Sequence, residues 1–201
     1  MKYLKEKITH QIEINKSIFI AILYPLTNQN DIPLLIDATK QAFPKANHYC
    51  SASVFGESME HATASDDGEP SRTAGIPILE VLKHHDVTNT LCVVVRYFGG
   101  IKLGSGGLVR AYTKAAADIM KEARFYTKKI VPSYLIEFEY ALINQMDHYF
   151  DKKATITEKS FLTTVTYKLI LLEDDESVIN EIIHLLIHYE ALDKETLWIK
   201  A

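Results

Sequence analysis

All eight glycines of this 201-residue chain lie between Gly56 and Gly107, so the first 55 residues and the last 94 contain none. Glycine weakens helix and strand interiors but serves where the backbone needs positive φ or must approach another group closely. One region therefore carries unusual loops, and the flanks must be ordinary scaffold. The densest part is RYFGGIKLGSGGLVRAY, residues 96 to 112. There Gly99, Gly100, Gly104, Gly106 and Gly107 fall within nine positions, between a strand-like run and a helical pattern.

Periodicity orders the rest. Residues 11–24 read as one or two strands, and 30–43 as a helix capped by Asn30 or Asp31 with Leu35, Ala38 and Ala42 on its apolar face. Residues 48–55 read as a strand followed by a long polar loop. Residues 75–85 form a short helix with Pro77 near its first turn. The β-branched run 90–98 predicts a strand buried on both faces. From Gly104 to about Arg124 a helix follows, with Leu108, Tyr112, Ala115 and Ile119 on one face and Arg110, Lys114, Asp118 and Lys121 on another.

Residues 125–133, basic and proline-containing, have linker character, which places a domain boundary near residue 130 and divides the chain into 1–130 and 131–201. Beyond it come an alternating strand at 134–140, a helix to about Asp151, and strands at 153–159 and 161–172. A helix from Asp174 bearing Val178, Ile182, Leu185 and Tyr189 and a last strand near 195–200 complete the chain. The class is α+β, and the order β-α-β-β-α-β predicts two helices on one face of an antiparallel sheet.

A net charge of −4 gives no general attraction to phosphate backbones or anionic membranes, so contact with nucleic acid must come from a local patch. No apolar run of membrane-spanning length and no leader pattern occurs, and the expected location is the cytoplasm. Cys50 and Cys92 lack CxxC spacing and read as buried free thiols, with no disulfide framework or zinc site.

Backbone amides freed at a helix N-terminus bind anions without any side chain, and the strand, glycine loop, helix sequence provides such amides. From Val87 to Ala117 there is no Asp or Glu, whereas Arg96, Lys102, Arg110 and Lys114 are cationic. Phosphate is the natural ligand, bound by Arg96, Gly99, Gly100, Lys102, Gly104, Ser105, Gly106, Gly107, Arg110 and Lys114. The plainer alternative is that the glycines only turn the chain sharply and let the helix pack closely on the sheet. Neither a Walker A lysine nor regular GxGxxG spacing is present.

A second loop, SDDGEPSRTAGIP (65–77), clusters Asp66, Asp67 and Glu69 around Gly68, with Arg72 and Thr73 following. Clustered carboxylates attract Mg²⁺ or basic groups, but the spacing is not that of an EF-hand. The same residues also make a ready turn whose aspartates cap local amides, and pairing of this loop with the basic one is a further option. His184 and His188 stand four apart on the last expected helix without the glutamate of HExxH, and His48, His84 and His85 have no spacing that selects a role. No nucleophile elbow is present, so no catalytic residue, metal or cofactor is assigned.

SDDGEPSRTAGIPILEVL together with VVVRYFGGIKLGSGGLVRAYTKAA resembles the signature of the IMPACT (YigZ-like) family. The resemblance implies an N-terminal domain of the ribosomal protein S5 domain 2-like fold. It also implies a ferredoxin-like C-terminal domain similar to the last domain of a translocating elongation factor. Matching positions are Asp66 to Pro70, Thr73 to Gly75, Arg96 to Gly100, Leu103, Gly104, Gly106 to Leu108, and Arg110 to Tyr112. Three positions depart: Arg72 and Thr113 stand where the family commonly has glycine, and Ile18 where a basic residue is usual.

Three functions follow as expectations. The first is a translation-associated regulator that binds RNA or the ribosome through the basic glycine loop. The second is an enzyme acting on a phosphorylated small molecule or nucleotide, since the S5 domain 2-like fold also houses small-molecule kinases. The third is a regulator whose C-terminal sheet face, with Thr164, Thr166 and Lys168 opposite Val165, Tyr167 and Leu169, binds a protein partner.

Overall fold

The computed structural model describes residues 1–201, and the chain divides into two compact units, Met1–Thr127 with Lys200–Ala201, and Lys128–Ile199.

The first unit is built on a five-stranded antiparallel sheet. Its strands are β2 (Ile8–Ile14), β3 (Ser17–Pro25), β4 (His48–Phe55), β5 (His61–Ser65) and β7 (Thr90–Tyr97), in the order β2-β3-β7-β4-β5. Three short segments, β1 (Lys2–Leu4), β6 (Val87–Thr88) and the start of β8 (Phe125–Phe138), pair beside it.

Period-two alternation sends alternate residues of the central strands to opposite faces. Phe19, Ala21, Leu23, Cys50, Ala52, Val54, Cys92 and Val94 share a core with α2 (Gly75–His84) and α3 (Gly104–Glu122). Ile20, Ile22, Tyr24, Leu91, Val93 and Val95 share the other with α1 (Ile32–Ala42). The strand β7 is therefore buried on both faces, as its unbroken apolar run requires, and only its last residue, Tyr97, is partly open. Each fully buried aliphatic side chain there contributes about 1.5–3 kcal/mol.

The second unit contains the rest of β8, α4 (Ile143–Phe150), β9 (Ala154–Phe161), β10 (Val165–Leu171), α5 (Ser177–Asn180) and β11 (His188–Lys200), with sheet order β11-β8-β10-β9. Its core joins Ile136, Phe138, Tyr167 and Leu169 of the sheet to Met146, Phe150, Ile179 and Ile182.

Several sequence expectations are corrected. The polar loop after β4 contains the edge strand β5, whose five residues are all exposed. Asp31 does hold the N-cap position of α1 but its side chain makes no capping bond; the side-chain cap is Asn28, one turn earlier on the 3₁₀ turn Gln29–Asp31, accepting from the Asn30 amide at 2.9 Å. Ala38 and Ala42 are exposed; the packed face of α1 is Ile32, Leu35, Ile36 and the buried Thr39.

The expected linker 125–133 is strand, within β8. The last helix shrinks to α5 and a 3₁₀ turn at Ile183–Leu185, so His184 and His188 do not share a helix face and Tyr189 lies in β11. A continuous apolar run such as IIHLLIHY does not by itself distinguish helix from strand, and the need to supply β8 with a neighbour decides it. No helix is long and apolar enough to cross a membrane.

Candidate functional site

Arg96 follows Cys92 and Val94 on the helix-covered face of β7, where alternation would otherwise place an apolar side chain. Strand register sets Phe19 of β3 and His48 of β4 on either side of it. Its guanidinium carbon lies 5.5 Å from the ring centres of both Phe19 and Phe98. Arg96 is only 6% exposed, and a buried cation requires a partner.

That partner is Glu69, 8% exposed, whose Oε1 accepts from Arg96 Nη1 at 2.6 Å and from the Tyr112 hydroxyl of α3 at 2.8 Å. The Cys50 thiol donates toward the Asp66 carbonyl at 2.9 Å and lies 3.3 Å from the Tyr112 hydroxyl. Burial pushes this thiol up to about 12, against a smaller lowering by Tyr112, and pushes fully buried Cys92 to about 12 as well. Neither cysteine is a thiolate nucleophile at neutral pH. Burial, then Cys50 and Glu69, also drives the Tyr112 phenol far above its ordinary range, so Tyr112 stays a donor to Glu69.

The acidic loop divides by role. A tight turn with Asp67 and Gly68 at φ of 44° and 85° closes through the Glu69 amide and Asp66 carbonyl at 2.9 Å. Asp66 faces the start of α2. Its Oδ1 accepts from the Ala74 and Gly75 amides at 3.0 and 2.8 Å, and its Oδ2 from the Arg72 amide at 2.7 Å. Partial desolvation raises the Asp66 carboxyl, but these three amides outweigh it and hold it below the usual carboxylate range.

Asp67 Oδ2 accepts from the Tyr49 amide at 2.6 Å, and Thr73 Oγ1 donates to the Pro70 carbonyl at 2.6 Å. Asp66, Asp67 and Thr73 thus build the loop. Glu69 alone among the three carboxylates turns toward the basic side.

The glycine loop is anchored at its start. The Phe98 amide donates to Asn47 Oδ1 at 2.8 Å and the Gly99 amide to Ser17 Oγ at 3.1 Å. A Cβ on Gly99 would stand 2.0 Å from the Lys16 carbonyl carbon, so only glycine permits this approach. Gly106 differs: a Cβ there would meet only Arg110 Nη1, at 3.8 Å. Helix α3 then begins with no side chain capping its amides and no acidic residue in its first turn, leaving its positive end open.

These parts enclose a cleft of about 400 Å³ within the first unit. Arg96, Lys102, Gly104, Ser105 and Phe98 line it from the basic side, and Asn47, His48, Glu69 and Pro70 from the other. His48 Nδ1 bonds the Asp67 carbonyl at 2.8 Å, so Nδ1 carries the proton, and Nε2 stands 3.9 Å from Glu69 Oε2. Arg96 lines the cleft, and its Nε is buried without a hydrogen-bond acceptor in the chain.

Of the four cations grouped by sequence, Arg96 and Lys102 line the cleft. Arg110 lies exposed one turn beyond Gly106, outside the lining. Lys114 is paired with Asp118 at 2.6 Å, and with Lys121 holds that carboxyl below its usual range.

The departures Arg72, Thr113 and Ile18 all lie elsewhere. Arg72 and Thr113 border a separate groove between α2 and α3, and Ile18 packs in the core on the α1 side of the sheet. Arg72 has φ of 64°, which explains why glycine suits that position. The bonding roles of His48, Cys50 and Tyr112 and the place of Phe98 at the cleft were not assigned from the sequence. Only Phe98, an aromatic residue between a buried strand and Gly99–Gly100, carried a readable signal.

Fold and cleft together define a two-unit α+β protein whose first unit carries a cleft lined by Arg96 and Lys102 together with Glu69 and His48. Residues 15–120 match the Impact N-terminal domain, and the chain belongs to the IMPACT family. It is 40% identical over 144 residues to IMPACT family member YvyE of Bacillus subtilis (strain 168), a match covering 72% of this chain and 66% of that protein. It is 35% identical to IMPACT family member YigZ of Escherichia coli (strain K12) over 67% of this chain and 71% of that one. A solved structure described as that of a hypothetical protein is similar over 96% of this chain and 97% of its own, with 28% identity and a TM-score of 0.61.

Proposed function

We propose that the protein is a translation-associated regulator that binds RNA, free or within the ribosome, through the cleft between the glycine loop and the Glu69 turn. The observation that carries this reading is the meeting of Lys102 and the uncapped start of α3 at one cleft, which Arg96, held by Glu69 on one nitrogen, also lines. A lysine beside a helix N-terminus stabilises the charge of a phosphate.

With a net charge of −4 the contact must come from a local patch and not from the general charge of the chain, and contacts to phosphate make it salt-sensitive. Filter binding of RNA and co-sedimentation with ribosomes across a salt series test the reading. Retention at low salt that declines log-linearly as salt rises supports it. Absence of retention at low salt, or retention indifferent to salt, overturns it.

A further inference from the structure

Phe98 is the most exposed of the large apolar side chains lining the cleft. It is 45% exposed, whereas Leu103 is half-buried and Leu108 is 5% exposed. A single exposed ring is ordinary on a protein surface; what sets Phe98 apart is that it lines the cleft together with Arg96 and Lys102. Its position is fixed by the fold. The Phe98 amide is tied to Asn47 Oδ1 at 2.8 Å, and the next residue, Gly99, is locked by its approach to Lys16. On one side Arg96 lies 5.5 Å from the ring centre.

We propose that Phe98 is a base-stacking platform and that the cleft takes an unpaired RNA nucleotide, its phosphate at Lys102 and the α3 amides and its base against the Phe98 ring. This rests on the RNA-binding reading above and narrows it to single-stranded RNA. The cleft, at about 400 Å³, is of a size for one nucleotide and not for a duplex, whose bases are stacked on one another and closed to a protein ring. Stacking on an aromatic face is tolerant of sequence, so the cleft selects strandedness and not a base. Gly104 and Ser105, in the first turn of α3, line the cleft beside Lys102 and bring the uncapped start of the helix to it.

The test compares a single-stranded RNA decamer with the same sequence in duplex, at one low salt concentration, on the intact protein and on Phe98→Ala, Phe98→Tyr and Lys102→Ala. Phe98 lies outside the buried clusters, so Phe98→Ala should melt as the parent does, and its thermal transition is measured alongside. The parent is expected to prefer the single strand. Phe98→Ala is expected to lose about tenfold in single-strand affinity with duplex binding unchanged, and Phe98→Tyr to retain it.

Equal affinity of the parent for both forms overturns the stacking proposal, as does Phe98→Ala binding the single strand like the parent or losing both forms equally. The RNA-binding reading survives those outcomes if Lys102→Ala still weakens binding. No RNA bound by the parent in either form overturns both.

Discussion

Glu69 Oε1 and Arg96 Nη1 meet at 2.6 Å, with both side chains almost wholly removed from water. The pair joins the acidic turn to the end of β7 and is braced from α3 by Tyr112. Removing one member of a buried pair strands the other, at a cost of about 3–5 kcal/mol. Glu69→Ala is therefore expected to be severely destabilised in urea unfolding, and Glu69→Gln, which keeps an acceptor for Arg96 and Tyr112, markedly less so. Equal stability of Glu69→Ala and the parent contradicts this account of the pair.

Asp66 is a cap, not a ligand. Asp66→Ala should lose about 1–2 kcal/mol, as deletion of a helix-capping side chain does. The folded carboxyl is held below its ordinary value, so the stability it contributes is full above its unfolded pKa of about 3.9 and lost as pH falls through the lower folded value. The gap between parent and Asp66→Ala, followed by thermal unfolding from neutral pH downward, should be constant to about pH 4 and then close. A gap independent of pH, or one that widens in acid, contradicts the assignment.

Arg72 occupies a left-handed conformation that costs a side chain about 1–2 kcal/mol, while glycine there gives back about 0.5–1 kcal/mol in chain entropy. Arg72→Gly should be more stable by about 0.5–1 kcal/mol in denaturant titration, with RNA affinity unchanged because Arg72 lies outside the cleft. A loss of stability, or a loss of binding, runs against this placement.

Gly106 and Gly99 should respond in opposite ways. Gly106→Ala meets open space and improves helix propensity, so it should leave stability unchanged or raised by about 0.5 kcal/mol, with RNA binding unchanged because Gly106 too lies outside the cleft lining. Gly99→Ala drives a Cβ into the Lys16 backbone and should fail to fold or melt far lower. Tolerance of Gly99→Ala in a melting experiment contradicts the close approach.

What the sequence made legible follows from which signals are local. The strand β4 and the start of α3 were readable because periodicity and glycine placement act within a few residues. Edge strand β5 was not, since HATAS is exposed throughout and has no buried face to impose alternation. Pro132 made residues 125–133 look like a linker. The β1 partners of β8 end at Thr127 and its β10 partners begin at Ser133, so Pro132 falls between those two ladders.

The layout of the cleft was partly legible. Charge and glycine content drew attention to Lys102 and the start of α3, which the fold brings to one cleft, but Glu69–Arg96–Tyr112 and the position of His48 depend on non-local facts such as the register between β4 and β7. Helix spacing alone did not show that Arg110 and Lys114 stand outside the cleft lining, or that Lys114 pairs with Asp118.

The central claim is that phosphate is held at the cleft and not by the general charge of the surface. It is tested most directly by measuring single-stranded RNA affinity for the parent, Lys102→Ala and Lys114→Ala across about 50–200 mM salt. The account predicts that the log–log slope falls by about one in Lys102→Ala and stays that of the parent in Lys114→Ala, whose lysine is spent on Asp118. Identical slopes for all three proteins, or a larger change in Lys114→Ala than in Lys102→Ala, would contradict it.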